Sequence, residues 1–325
     1  MLLNRILRLA LLPVIAVMLL SNVALAASVA QNQTILTAAY QYADCKTNFA
    51  VGLMNDVINA SPSLETQLNA SIAALNRDTD KLYTFANAGN LKQFQSYLTE
   101  TYDPELANVS GTLSSDYKTA NFPSNTLAAL RSDYNASMAV YNDCALNATK
   151  SYGNAKVAIY ESYIAEYQNV TNTYGSLASK YGIDYSSLTA IVDNATPQVI
   201  TPLQNGISGA KNASQVKAVL GEYCMLNDCP NGYNYHLDAR LYTQALTIAY
   251  NKLQSVNIGG IINSTQMNEL NSNIQNATLT VNSAGSNTYS SSQENSLFAN
   301  LNNGLHVLGK IINSLRGLGG LGKSG

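Results

Sequence analysis

The sequence has few charged residues, no tryptophan and only two histidines. Charged side chains make up 12% of its 325 residues, about half of the usual share of roughly 25%. With 18 basic and 20 acidic residues the formal charge is −2. There is no basic excess to neutralise a phosphate backbone, so we expect no nucleic-acid partner. Two histidines also leave little scope for histidine-based metal or acid–base chemistry.

Neutral polar side chains take the place of the missing charge. Asn, Ser, Thr and Gln total 108 residues, and 21 tyrosines accompany five phenylalanines. Apolar residues still account for 46% of the chain, which is too many for a disordered protein. The composition therefore predicts a folded protein with one large domain or two ordinary ones.

Residues 1–26 have the pattern of a secretory signal peptide. Two arginines precede an apolar run from Leu9 to Leu20, and Ala24-Leu25-Ala26 is a small-x-small cleavage sequence. Cleavage there would leave Ala27 as the N-terminus and a formal charge of −4. The alternative is an uncleaved N-terminal membrane anchor, because the apolar segment is nearly long enough to span a bilayer. The sequence thus predicts a secreted protein or one on the extracellular cell surface.

Eleven Asn-x-Ser/Thr sequons agree with export, although the high asparagine content alone accounts for more than half of them. At Asn59 and Asn194 a proline directly follows the sequon and hinders glycan transfer. The other nine are predicted glycosylation sites. They are Asn32, Asn69, Asn108, Asn135, Asn147, Asn169, Asn212, Asn263 and Asn276.

Four cysteines fit two disulfides of an oxidising compartment, with three pairings open. Cys45 and Cys144 share the pattern Tyr-x-Asp-Cys-x-x-Asn on two helical stretches, whereas Cys224 and Cys229 lie five residues apart around a turn sequence. We therefore predict the pairs Cys45–Cys144 and Cys224–Cys229. A zinc site is the rival interpretation, but the sequence lacks the cysteine spacing and paired histidines of such sites. We predict neither a metal nor a cofactor.

Apolar residues recur at helical spacing nearly everywhere, which predicts an all-α fold. The longest stripe runs from Leu127 to Tyr181 in alternating steps of three and four residues, the heptad pattern of a coiled coil. Pro123 precedes this helix and Gly182 ends it. We expect its tyrosines to occupy core positions; a carbohydrate-stacking face is the alternative. They are Tyr134, Tyr141, Tyr152, Tyr163, Tyr167, Tyr174 and Tyr181.

The helical pattern divides the mature chain into four regions. Of three shorter stripes, the first ends before Ser61, the second stops at Gly89 and the third is interrupted by Asp103-Pro104. With the long helix they form a predicted elongated antiparallel bundle over residues 27–182. Residues 183–281 predict shorter helices separated by prolines. Residues 282–292 are rich in Ser, Asn and Gly and predict a flexible linker.

The tail, residues 293–325, is predicted to form an amphipathic helix. Lys310, Arg316 and Lys323 give it positive charge against a single Glu294. After a linker, such a helix is predicted to contact a membrane interface or to associate with another copy. The alternative is a terminal helix that docks on the rest of the chain. Its apolar face consists of Leu297, Leu301, Leu305, Leu308, Ile312 and Leu315.

No cluster of residues predicts a catalytic site. His236 lies near the predicted Cys224–Cys229 turn, where a polar cluster at a helix start is the simpler interpretation, and His306 is expected on the polar face of the tail. Asp78 and Asp80 are predicted to point apart on a solvated helix face. The sequence also lacks the common nucleophile, zinc-protease and nucleotide-binding patterns.

These observations predict a non-enzymatic, secreted or cell-surface protein that acts by interaction, in the envelope, in adhesion or in cell contact. The expected partner is a protein, a cell-envelope surface or a second copy of the chain. An exported membrane-active protein that works through the tail is the alternative, and an extracellular enzyme is the third hypothesis. A surface of neutral amides and hydroxyls titrates little, so we also expect tolerance of acid.

Overall fold

The computed structural model describes residues 29–119, 122–179, 182–222, 233–256, 262–283 and 289–321. Over these ranges the chain is helical and contains no strand, which confirms the predicted all-α fold class. The predicted signal peptide, Cys224, Cys229 and much of the predicted linker lie outside the described residues. Among the residues that are described, no helix combines the length and apolar character needed to cross a membrane.

Eleven α-helices, one 3₁₀ turn and two π-helical turns follow one another along these ranges. In chain order they are α1 (Val29–Ala60), a 3₁₀ turn (Pro62–Leu64), α2 (Glu65–Asn87), α3 (Leu91–Tyr97), a π-helical turn (Leu98–Tyr102), α4 (Asp103–Thr119), α5 (Ser124–Ser179), α6 (Ser186–Asp193), a second π-helical turn (Thr196–Ile200), α7 (Thr201–Gly209), α8 (Ala213–Glu222), α9 (Tyr233–Val256), α10 (Ser264–Ser283) and α11 (Ser291–Leu321).

The helices form two compact units. We call Ala26–Ile159 with Leu203–Glu222 the disulfide unit, and Tyr160–Pro202 with Tyr223–Gly325 the C-terminal unit. The predicted domains, with boundaries at residues 182 and 281, remain predictions.

Two glycines end helices where the sequence predicts, and an asparagine begins the helix after the first of them. Gly89 and Gly182 have φ of 64° and 67°, in the left-handed region that glycine enters without a steric penalty. Asn90 then caps α3, because its side-chain oxygen accepts a hydrogen bond from the Gln93 N–H at 3.1 Å. The predicted stops before Ser61 and at Gly89 and Gly182 are thus confirmed.

Each of the two π-helical turns ends two residues before a proline. Pro104 is the second residue of α4, and Pro202 is the second residue of α7. Proline cannot donate a backbone hydrogen bond, and its ring collides with the carbonyl four residues back in a regular helix. A wider turn places that carbonyl elsewhere, so the chain stays helical. The interruption predicted at Asp103-Pro104 is therefore a local widening followed by a new helix.

In the disulfide unit, α1 runs antiparallel to both α2 and α5. The Gln33 side chain, near the start of α1, donates to the carbonyl of Asn87 at the end of α2. Toward α5, the ring of Phe49 lies 5.2 Å from that of Tyr141 and 5.9 Å from that of Tyr134. This arrangement is compatible with the predicted bundle; the coiled-coil detail remains a prediction.

Each unit has its own apolar core. In the disulfide unit one cluster surrounds Met54, Leu68 and Leu75 and another surrounds Leu36, Leu82 and Phe94. In the C-terminal unit a cluster of 17 buried residues has members from α9, α10 and α11. Burial of these apolar faces is the main term that favours the fold.

Candidate functional site

The predicted Cys45–Cys144 disulfide is present and joins α1 to α5. The two Cα atoms are 5.8 Å apart and the bond closes a separation of 99 residues. The pairing is therefore confirmed, and neither cysteine is available as a zinc ligand. The second predicted pair, Cys224–Cys229, lies outside the described residues.

The repeated cysteine motif also brings two tyrosines together beside the disulfide. Tyr42 and Tyr141 each precede a bridged cysteine by three residues. Tyr141 is a side-chain hydrogen-bond partner of Tyr42. Lys217 of α8 donates a hydrogen bond to the Tyr42 oxygen at 3.0 Å. The Tyr42 hydroxyl thus joins α1 to both α5 and α8.

Two lysines surround the ring of Tyr42. The Lys217 ammonium lies 4.4 Å and the Lys46 ammonium 5.2 Å from the ring centroid, both within the range of cation–π attraction. Lys46 also lies 3.6 Å from a carboxylate oxygen of Asp103. Because both partners of that ion pair are partly exposed, it contributes little to stability.

The surroundings lower the pKa of the Tyr42 phenol and raise the pKa of the Tyr141 phenol. Burial raises the pKa of Tyr42, but the hydrogen bonds from Lys217 and Tyr141 and the charges of both lysines outweigh it, so the pKa ends below its usual value. Burial and the hydrogen bond to Tyr42 raise the pKa of Tyr141 to about 12. The Tyr42 oxygen, which accepts hydrogen bonds beside two ammonium groups, therefore lies in a region of positive electrostatic potential.

The region around Tyr42, Lys46 and Lys217 borders a cavity of about 400 Å³. The volume lies within the range of roughly 300–1,000 Å³ that is usual for small-molecule sites. The polar groups at the cavity are Lys46, Lys217, Asp103 and Thr149, together with Tyr42 and Tyr152. The aliphatic wall consists of Ala38, Ala39, Ala43, Leu98, Ala148 and Leu220.

Gly153 of α5 allows the close packing that positions α8 beside the cavity. A Cβ atom on Gly153 would lie 2.8 Å from the side chain of Ile207, so α7 approaches α5 more closely than another residue would allow. Gly206 of α7 is equally close to Val219 of α8. These two contacts seat α8 so that Lys217 reaches Tyr42. Gly153 therefore has a packing role inside its helix.

A buried hydroxyl cluster lies behind the disulfide. The hydroxyl of Thr47 is 2.7 Å from that of Thr79 and 3.0 Å from that of Tyr102. Tyr102 also donates to the carbonyl of Ala43 at 2.6 Å, and Thr79 donates to the carbonyl of Leu75. Because Tyr102 and Thr79 donate to carbonyls, the single Thr47 proton goes to one of their two oxygens, and each of the three hydroxyls has a hydrogen-bond partner.

The tail residues predicted for membrane contact or self-association are packed inside the C-terminal unit. Leu297, Leu301, Leu308, Ile312 and Leu315 are at most 4% exposed, and Leu305 packs against the same cluster. This is the docked arrangement that the sequence left as the alternative. Membrane contact or self-association through this face would require α11 to leave its position, and stays a prediction.

The remaining predicted residues fall at varied positions. Of the nine predicted glycosylation sites, eight are exposed and Asn32 is half-buried. In the tyrosine stripe, Tyr163 and Tyr167 are buried as expected, whereas Tyr134 is 43% exposed. The side chain of His236 lies outside the described residues, and His306 is exposed on α11.

The prediction that Asp78 lies on a solvated face is wrong. Its side chain is only 3% exposed, since α3 covers this face of α2 and the Tyr97 hydroxyl donates to the carboxylate at 3.0 Å. The Arg77 guanidinium lies 3.4 Å from the same oxygen. Asp80 is exposed, as predicted. Asp78 therefore connects two helices of the fold.

The repeated motif contains Tyr42 and Tyr141, but sequence reasoning used it only to pair the cysteines, and it missed the tyrosine contact, Lys217 and the cavity. Lys217 lies 175 residues from Tyr42 along the chain, and its surroundings in the sequence carry no motif. No protein-family model, no curated protein and no solved structure matches this chain. The fold and the geometry around Tyr42 thus define an all-α, disulfide-linked protein with a cationic, mainly apolar cavity.

Proposed function

We propose that this chain is an exported, non-enzymatic protein that acts by interaction, secreted or at the cell surface. The Cys45–Cys144 disulfide carries the proposal. It joins two helices across 99 residues, and disulfides persist in oxidising compartments but are rare in the cytosol. The predicted signal peptide over residues 1–26 supports the same location.

Two surface properties support an extracellular environment. Eight of the predicted glycosylation sites have exposed side chains, so attached glycans would meet no packed core. With only 12% charged residues, the solubility of the protein rests on neutral amides and hydroxyls, and glycans would add to it. The expected partner is a protein or a cell-envelope surface.

The membrane-active alternative has less support. The face that would enter a lipid interface forms part of the C-terminal core, so exposing it would cost the burial energy of that face. We therefore propose interaction through the outer surface of the folded protein, with α11 docked.

The experiment is expression of the full chain in a secretion-competent host, followed by mass spectrometry of the exported product. We expect a product that begins at Ala27 and in which Cys45 and Cys144 react with an alkylating reagent only after reduction. An Ile15→Arg variant, which interrupts the apolar run of the signal, is expected to remain inside the cell with both thiols reactive. An Ala26→Leu variant tests whether cleavage occurs where we place it.

The second part of the experiment tests interaction. The purified exported protein is expected to bind saturably to intact cells of its source organism, whereas a reduced and alkylated sample is not. Retention of the wild-type chain in the cytosol with free thiols would contradict the proposed location. Export without saturable binding to any envelope preparation would contradict the proposed mode of action.

A further inference from the structure

The cavity beside Tyr42 combines an aliphatic wall with a local excess of positive charge. Lys46 and Lys217 face it together with a single carboxylate, that of Asp103, in a protein whose overall charge is −2. Asp103 is paired with Lys46. Among the described residues, no carboxylate lies within ion-pair distance of Lys217. Within the part of the chain that the structure describes, the Lys217 ammonium therefore contacts a phenol and no carboxylate.

Two cationic donors lie beside Tyr42 at the cavity. Both lysine ammonium groups lie within 5.2 Å of the Tyr42 ring centroid. The Tyr42 oxygen accepts a hydrogen bond from Lys217 at 3.0 Å. An anion placed there would receive charge-assisted hydrogen bonds, which are the stronger kind.

The rest of the cavity favours an aliphatic body. Six of its lining residues are alanine or leucine. An engineered apolar cavity of about 150 Å³ takes up benzene, so about 400 Å³ has room for a longer chain. A doubly charged phosphate group would find only two lysines, one of them already paired. The site is thus better matched to a single negative charge with an apolar chain.

We propose that this cavity binds a small amphiphilic carboxylate, a single aliphatic chain whose carboxylate lies between Lys46 and Lys217. The chain extends along the wall formed by Ala39, Ala148 and Leu220. The site is independent of the proposed location of the protein, because it rests only on the cavity and its charges.

The test is calorimetric titration of the disulfide-linked full chain with dodecanoate, below the concentration at which it forms micelles. We expect one dodecanoate per chain. Butanoate, which lacks the long chain, and dodecylammonium, which reverses the charge, are each expected to bind at least about tenfold more weakly. Dodecanol, which is neutral, separates the contribution of the charge from that of the chain.

Three variants locate the binding. Lys217→Gln removes the unpaired charge at an exposed position and is expected to weaken dodecanoate binding about tenfold. Lys92→Gln, a change of the same kind at an exposed lysine of α3 outside the cavity, is expected to leave it unchanged. Ala39→Leu fills part of the cavity and is expected to abolish binding while an unchanged helical spectrum and melting temperature confirm folding.

Equal affinity for dodecanoate and dodecylammonium would overturn the proposal. Binding of several molecules per chain that neither Lys217→Gln nor Ala39→Leu weakens would also overturn it, because that is the behaviour of a surfactant on a nonspecific surface. An absence of measurable binding by the wild-type chain would overturn it as well, even if the protein proves to be exported.

Discussion

The disulfide unit and the C-terminal unit hold their helices together by different means. The disulfide unit uses a covalent link, a buried hydroxyl cluster and a carboxylate bound by Tyr97, and it contains a cationic cavity. The C-terminal unit contains a cluster of 17 buried residues, and the polar contacts Gln168–Asp193 and Gln244–Ser187 also join its helices. Polar links fix specific partners, whereas apolar burial is non-directional. The chemistry of the described residues is accordingly concentrated in the disulfide unit.

The buried tyrosines show the same difference. The Tyr102 hydroxyl of the disulfide unit is bonded to Thr47 and Ala43. The Tyr185 hydroxyl of the C-terminal unit is buried with no hydrogen-bond partner among the described residues. Burial raises the pKa of both phenols. A core built by apolar burial thus tolerates an unpaired hydroxyl that the polar cluster does not contain.

The largest expected effect comes from removing the covalent link. In the chain-entropy account, a bond that closes about 100 residues contributes roughly 4–5 kcal/mol. We expect the Cys45→Ala/Cys144→Ala variant to lose about this much stability in the disulfide unit. Hydrogen exchange read by mass spectrometry should show faster exchange in α1 and α5, while α9 to α11 keep their protection. A uniform loss of protection in both units would show that the comparison is wrong and that they unfold as one.

The next effect is a cavity in the apolar core of the C-terminal unit. Leu308 is 1% exposed on α11, and buried Leu→Ala changes cost about 3 kcal/mol, with a range of roughly 2–5. We expect Leu308→Ala to reduce the free energy of unfolding of this unit by that amount. Lys310→Ala, at an exposed position on the same helix, is the matched control and should change it by less than about 0.5 kcal/mol. Equal effects of the two changes would contradict a docked α11.

The sequence predicted what depends on local periodicity and on repeated motifs. Helical spacing indicated the fold class, and glycine placed the helix ends at Gly89 and Gly182. The Cys45–Cys144 pairing followed from two copies of one motif. The helices and their ends could be predicted because they depend on neighbouring residues. The disulfide could be predicted because the same motif occurs at both cysteines.

Contacts between distant segments could not be predicted in the same way. Lys217 reaches Tyr42 only because Gly153 and Gly206 allow three helices to approach closely. Asp78 is buried because α3 folds over α2, which helical spacing within α2 does not reveal. The apolar face of the tail is compatible with a membrane, another copy or the chain's own core. Only the tertiary structure places it in the core.

The third and smaller effect is the difference in stability cost between removing the hydroxyl of Tyr102 and removing that of Tyr185. Tyr102→Phe removes a hydroxyl that has two partners, and we expect it to cost about 1–2 kcal/mol, because it leaves the Thr47 hydroxyl and the Ala43 carbonyl with fewer partners. Tyr185→Phe removes an unpaired buried hydroxyl and is expected to be neutral or slightly stabilising. Urea denaturation of the two single variants and of the double variant measures both changes. Equal losses would show that Tyr185 has a partner after all.

The smallest expected effect is the change in stability as the pH falls. We expect this change to have opposite signs at one carboxylate in each unit. In the disulfide unit, burial and the charge of Asp133 raise the pKa of Asp56. The folded state therefore holds this proton more tightly than the unfolded chain, and stability rises as the pH falls through the raised pKa. In the C-terminal unit, hydrogen bonds from Ser186 lower the pKa of Asp184. That contribution is present above the ordinary value of about 3.9 and is lost as the pH falls through the lowered pKa.

Two substitutions test the signs of the pH-dependent stability contributions of Asp56 and Asp184. Asp56→Asn is expected to stabilise the protein at pH 7 by no more than a few tenths of a kcal/mol, since the side chain is only partly buried, and this gain should disappear by about pH 3. Asp184→Ala is expected to destabilise it at pH 7, and that loss should also disappear in acid. Urea denaturation of both variants and the wild type at several pH values between 7 and 3 measures the differences. If Asp56→Asn instead destabilised the protein at pH 7, the carboxylate would be making a favourable contact in the folded state. The acid tolerance expected from a surface with so few charges would then lose its support in the disulfide unit.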